Sequence, residues 1–272
     1  MNRPFQAGEA VWVELRSSDP AASEDFYAAL LGWSVRHERI GSSVYRMCSL
    51  GGRDVAGISD STSMNAGLHG GPRGWITYFA VDDIKAAARQ AVAEGGELVS
   101  APRHLPAAGS GATVVDPFGA VFGLYQGELR AGVEALNESG ALCWNELDTG
   151  EPERSIDYYQ ALFGFDTEVQ LSPTSQPYTV LKLGEVAVAG VLRLDNDWPN
   201  LVPSSWITYF SVASLDDAIT RVTELGGTPS VGPFESPHGK LQLIRDPEGH
   251  TVCLVELRGR LRPDTFSSAV TA

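Results

Sequence analysis

Apolar and polar positions alternate across residues 11–17, and this period of two predicts a strand with one buried face. The period then changes. Phe26, Tyr27, Leu30 and Leu31 recur at spacings of three and four, which sets them on one helical stripe. Asp19-Pro20 supplies the start of that helix, Asp as the cap and Pro at the first helical position. Gly32 supplies its left-handed end. Three short strands follow at 33–38, 43–50 and 54–59, separated by Gly and Ser turns. After a Gly/Pro-rich connection at 66–74 the order returns. Trp75–Val81 reads as a strand, and Asp82-Asp83 leads a helix with Ile84, Ala88, Ala91 and Val92 on one face. Gly95-Gly96 end it, and strands follow near 97–100, 111–115 and 120–126. One βαβββ module has thus been read twice.

The whole pattern then repeats. VWVELRSSDPAASEDFYAALLGW at 11–33 answers CWNELDTGEPERSIDYYQALFGF at 143–165, with Trp12 matching Trp144 and Glu14 matching Glu146 at an offset of 132. WITYF occurs unchanged at 75–79 and 206–210, and Asp116-Pro117-Phe118-Gly119 answers Asp246-Pro247-Glu248-Gly249. Only a duplication with small loop deletions keeps an offset so steady over a domain's length. The expectation is an α+β chain of four βαβββ modules in two domains, 9–127 and 141–257. Residues 128–140 would be the linker and 258–272 a tail.

Composition narrows the function. A hydrophobic fraction of 43% is enough to build cores. A formal charge of -14, with no basic stripe, argues against nucleic acid as a partner. The three cysteines, Cys48, Cys143 and Cys253, lie in apolar strand-like stretches with no paired spacing, as buried free thiols do. Neither a signal-like apolar segment nor a membrane-spanning run is present, so the expectation is a cytoplasmic protein without a membrane partner, monomeric or homodimeric.

A strand, then D-P-x-x-(S/A)-x-x-F-Y-x-x-L-(L/F)-G-(W/F), a strand ending in V-D-D, and D-P-x-G before a last strand together resemble the vicinal-oxygen-chelate superfamily of glyoxalases, bleomycin-resistance proteins and dioxygenases. The WVEL and WNEL openings resemble its tandem two-domain actinobacterial members. The resemblance implies curved, cup-shaped mixed sheets, each with a cavity. In metal enzymes of the family, His or Glu on the first, fourth, fifth and eighth strands holds a divalent ion. The matching positions here are Trp12, Gly57, Ile76 and Gly123, and then Trp144, Gly190, Ile207 and Cys253. Only the thiol could ligate, so neither a metal nor any other cofactor is expected.

Side chains two residues apart on a strand share a face. If the nominal metal positions line the cup, the first copy presents Trp12, Glu14, Ile76, Tyr78, Gly123 and Tyr125. The second presents Trp144, Glu146, Ile207, Tyr209, Cys253 and Val255, with His238 on a short loop at the rim. The missing side chain at Gly123 is expected to leave space beside an indole and a phenol. Such walls suit a flat aromatic ligand held by stacking and a few polar groups. The leading expectation is metal-independent binding of an aromatic natural product, cationic or neutral, in sequestration, resistance or biosynthesis, and the acidic balance of the chain suits the cationic form. A second reading makes Glu14 or Glu146 the acid/base of a metal-free enzyme. A third is a divalent-metal glyoxalase or dioxygenase with unusual ligands. Against all three stands a plain packing role for both Trp–Glu pairs.

Overall fold

The computed structural model describes residues 5–40, 43–62, 72–105, 109–128, 132–170, 177–194 and 204–259. Residues 66–71 of the Gly/Pro-rich connection, 129–131 of the expected linker and 260–272 of the expected tail lie outside these residues. The elements of the first copy are β1 (Ala10–Ser17), α1 (Pro20–Leu31), β2 (Ser34–Ile40), β3 (Ser43–Leu50), β4 (Arg53–Asp60), β5 (Gly74–Ala80), α2 (Ile84–Ala93), β6 (Glu97–Leu105), β7 (Gly109–Val115) and β8 (Val121–Gly127). Those of the second are β9 (Leu142–Thr149), α3 (Pro152–Phe163), β10 (Asp166–Gln170), β11 (Tyr178–Leu183), β12 (Val186–Arg193), β13 (Ser205–Val212), α4 (Leu215–Glu224), β14 (Thr228–Pro229), β15 (Phe234–Ser236), β16 (Gly239–Arg245) and β17 (Thr251–Leu257).

The α+β class and the four modules are therefore present, with one module interrupted: β14 and β15 stand where β6 runs unbroken. Strands β1–β8 form one mixed sheet in the order β2-β3-β4-β1-β5-β8-β7-β6. Strands β9–β17 form a second in the order β10-β11-β12-β9-β13-β17-β16-β14, with β15 pairing β16. Within each module the first strand lies parallel to the last, as in Glu14↔Gly57 and Tyr78↔Gly123. In the second copy the same rule gives Gly190↔Glu146 and Tyr209↔Cys253.

The helix signals act as their chemistry dictates. The Asp19 carboxylate accepts from the Ala22 N–H, Pro20 opens α1, and Gly32 closes it at φ 74°. Phe26, Tyr27 and Leu31 are buried. In α2, Ile84, Ala88 and Ala91 are buried, but Val92 is 45% exposed. The stripe read from sequence was one position too wide, because Ala91 already fills the place next to the sheet.

The chain divides into two compact units, one of residues 1–11, 77–131 and 145–207, the other of residues 12–76, 132–144 and 208–272. Each sheet stays within one sequence copy, whereas each compact unit draws on both. In the first unit, Phe79, Phe122, Leu147, Tyr159 and Trp206 share a core. In the second, Leu15, Tyr27, Trp33, Trp75, Phe210 and Leu254 do so. The outer aromatic positions of the two WITYF segments, Trp75, Phe79, Trp206 and Phe210, are all buried in these cores.

A hydrogen-bonded relay recurs in both cores. In the second unit, Trp75 Nε1 donates to the Tyr27 hydroxyl at 2.9 Å, and that hydroxyl donates to Asp246 at 3.0 Å. In the first, Trp206 Nε1 donates to Tyr159 at 2.8 Å and Tyr159 to Asp116 at 2.9 Å. The two aspartates are those of the D-P-x-G turns, and each also accepts turn N–H groups, from Phe118 and Ala120 or from Glu248 and His250. Burial, with the neighbouring aspartate, pushes both tyrosine hydroxyls far up, so they stay donors. Buried polar groups need such partners. A second pair of matched positions is not so balanced. Thr77 donates to Asn145 at 2.7 Å in the first unit. In the second, Val13 stands at the position matching Asn145, and Thr208 Oγ1 is buried with no hydrogen-bond partner among the described residues.

Candidate functional site

Strand β1 alternates, so Trp12, Glu14 and Arg16 share a face. Trp12 is partly exposed, whereas Glu14 and Arg16 are buried. The Trp12 indole N–H donates to the Tyr45 hydroxyl at 2.9 Å, and this hydroxyl reaches Glu14 Oε2 at 3.4 Å. On its other oxygen Glu14 accepts from Ser59 at 2.8 Å and pairs with Arg16 Nε at 3.4 Å. A buried carboxylate without a cation would be costly, and the guanidinium supplies it. The side chain of Tyr45 lies over Gly57, where a Cβ would come within 1.8 Å of the hydroxyl oxygen. That glycine is what lets Tyr45 reach Glu14.

The same logic applies at Gly123 and corrects an expectation. A Cβ there would lie 2.0 Å from Tyr78 Cδ1. The space expected beside Gly123 is therefore filled by the ring of its neighbour across the ladder. Ile76 and Tyr78 are buried, and Tyr125 is partly exposed at the end of the same strand pairing.

The second copy places Trp144, Glu146 and Asp148 at the positions of Trp12, Glu14 and Arg16, all three buried. Here the cation is replaced by another carboxyl. Ser59, too, has no counterpart, because the residue across from Asp148 on β12 is Leu192. Burial, the Glu146 charge and a hydrogen bond to Glu146 hold Asp148 well above the usual carboxylate range. Two carboxyls in one poorly solvated place keep a proton between them. Tyr209 pairs with Cys253, and both are buried with Ile207 and Val255. His238 sits half-buried in the turn between β15 and β16, whose Gly239 pairs with Leu257, four residues along β17 from Cys253. Burial pulls its imidazole below the ordinary value.

Sequence reasoning singled out Trp12, Glu14, Trp144 and Glu146 but not their neighbours Tyr45, Ser59, Arg16 and Asp148. Tyr45 and Ser59 meet Glu14 only across strands, so nothing local marks them. Arg16 and Asp148 carried a signal, being two residues from each glutamate. Glu248 was also missed. It accepts from the Ser17 and Ser18 hydroxyls, from Ser23 at 3.1 Å and from the backbone N–H of Ser18 and Asp19. Burial alone would raise this carboxyl, but these hydrogen bonds and the His250 charge hold it at about 2. At the matching position Phe118 instead lies under Arg154, 5.0 Å from the ring centre.

The residues present do not fit the metal of the resembling enzymes. Side chains of Trp and Ile and the hydrogen of Gly offer a divalent ion nothing to bind. Cys253 is the one donor at the eight positions, and burial surrounds it. Among the described residues no three His, Cys, Asp or Glu side chains gather as a ligand set. The three cysteines are buried free thiols, as expected. No described helix is long and apolar enough to cross a membrane.

Comparison with known proteins agrees with the fold. Residues 12–125 match the Glyoxalase-like domain family, and residues 145–254 match the Glyoxalase/Bleomycin resistance protein/Dioxygenase superfamily. CFP32 of Mycobacterium tuberculosis, whose glyoxylase name is provisional, is 33% identical over 249 residues, covering 90% of this chain and 93% of that protein. The anthracycline biosynthesis protein DnrV of Streptomyces peucetius is 31% identical over 265 residues, covering 93% and 95%. Among solved structures, the Mn(II)-bound glyoxalase of Novosphingobium aromaticivorans aligns with a TM-score of 0.59 at 15% identity, covering 95% of this chain and 86% of that one. The 2,2',3-trihydroxybiphenyl 1,2-dioxygenase of Sphingomonas wittichii aligns with a TM-score of 0.61 at 15% identity, covering 97% and 94%. At that identity the structures speak for the fold alone. The chain belongs to the glyoxalase/bleomycin resistance protein/dioxygenase superfamily, with two of its domains in tandem.

Proposed function

We propose that the protein binds an aromatic small molecule without a metal, as an accessory or sequestering protein for a natural product. The observation that carries this reading is the Trp12 indole, held by Tyr45 and set beside a carboxylate on the strand where metal enzymes of the family place a ligand. A ring fixed edge-on by its N–H keeps its faces for stacking, and the hydroxyl and carboxylate nearby orient polar groups of a ligand. The relative named for anthracycline biosynthesis supports a fused aromatic ring system as the ligand class.

Titration of tryptophan fluorescence with hydroxymethylanthracene, a flat neutral probe, tests this. Saturable quenching, weakened about tenfold in Trp12→Ala, is the expected result. Absence of saturable quenching would overturn the reading. A second reading, a metal-free acid/base enzyme, is favoured by the proton held between Glu146 and Asp148. Steady conversion of a bound polyphenol that Glu146→Gln abolishes would establish it over the first.

A further inference from the structure

The duplication offers its own control for the second sheet. On β1 a buried glutamate, Glu14, meets a buried cation, Arg16, and the two charges compensate. On β9 the glutamate is kept as Glu146, but the cation has become Asp148. Asp148 is 6% exposed, and its Oδ1 has no hydrogen-bond partner among the described residues. A buried oxygen of this kind is expensive to leave unmet. It lies on the face of β9 that also carries Trp144 and Glu146.

We infer that the Glu146–Asp148 pair is the seat of a ligand's ammonium group, supplying on the second sheet the positive charge that Arg16 supplies from within the chain on the first. An ammonium has three donors, enough for the unmet Asp148 oxygen and for Glu146 together. Its charge would also replace the proton that burial and the Glu146 carboxylate keep on Asp148. In such surroundings a charge-assisted pair is shorter and stronger than a neutral one. The ligand class is then an alkylammonium carried on a fused aromatic ring system, with its protonated nitrogen at β9. This inference rests on the aromatic-binding reading and adds the charge and the copy that recognises it.

The test pairs two probes of nearly one shape, aminomethylanthracene and hydroxymethylanthracene, measured by fluorescence on the full chain. The wild type should hold the ammonium about tenfold or more tighter than the alcohol. Asp148→Asn, which leaves Glu146 as the seat's one carboxylate, should reduce that preference several-fold. Asp148→Arg, which copies the first sheet's pairing into the second, should reverse it. Equal affinity of the two probes in the wild type would overturn the inference and leave aromatic binding standing. So would a preference that survives both substitutions. If neither probe binds the wild type, aromatic binding falls and the inference with it. The wild-type comparison decides even if one variant fails to fold.

Discussion

Strands β1 and β9 descend from one sequence and keep the same tryptophan and glutamate, yet they solve the burial of that glutamate in opposite ways. On β1 the carboxylate is compensated by Arg16, Ser59 and Tyr45, and the opposite charges balance, although Arg16 Nη1 has no hydrogen-bond partner among the described residues. On β9 the partner is Asp148, and the result is a pair that retains a proton and an unmet oxygen. The difference teaches that one fold accommodates two charge arrangements at the same buried strand position.

Removing one charge from each strand should therefore have opposite signs. Arg16→Met leaves Glu14 buried without its cation, and about 3–5 kcal/mol of stability should be lost in denaturant unfolding. Asp148→Asn removes a buried acid and keeps a polar group that can hydrogen-bond Glu146, and stability at neutral pH should stay unchanged or rise by about 1 kcal/mol. Equal losses in the two variants would break the comparison.

The pH dependence sharpens it. Asp148 is raised in the folded chain, so its contribution is present below its ordinary value of 3.8 and is lost as pH rises through the raised native value. Glu248 is lowered from 4.5 to about 2, so its contribution is present above 4.5 and is lost as pH falls toward 2. Midpoints of thermal unfolding across pH should show Asp148→Asn changing only the limb above about 4, where the ordinary carboxylate titration ends. Glu248→Gln should flatten only the acid limb.

The smallest effect concerns the buried threonines. Thr77→Val removes a hydrogen bond to Asn145 and should cost about 1–2 kcal/mol, since the amide is left unpaired. Thr208→Val, at the matching position, should cost nothing or add a few tenths of a kcal/mol in the same denaturant assay, because the hydroxyl it removes has no partner among the described residues.

Much of the fold could be read from the chain because its signals are local. Asp19, Pro20 and Gly32 bound one helix within a dozen residues, and the WITYF and D-P-x-G repeats made the duplication plain. The candidate site was half legible for the same reason. Trp12 and Glu14 follow from strand alternation, and so would Arg16 and Asp148 had charge been followed along the same face. Tyr45 reaches Glu14 across 31 residues of chain and Ser59 across 45, and only strand register brings them there. Gly123 misled because an absent side chain says nothing of what fills its place, here the Tyr78 ring.

The relay from Trp75 through Tyr27 to Asp246 also sets a timetable for synthesis. Tyr27 and Trp33 leave the ribosome early, but the residues that complete their core, Phe210, Asp246 and Leu254, come near the end. At roughly 5–20 residues per second, the N-terminal module waits on the order of ten seconds with that apolar face uncovered. The other unit, whose last segment ends at residue 207, can close first. A nascent chain stalled after the first copy would thus present Tyr27, Trp33 and Trp75 to chaperones rather than to their own partners.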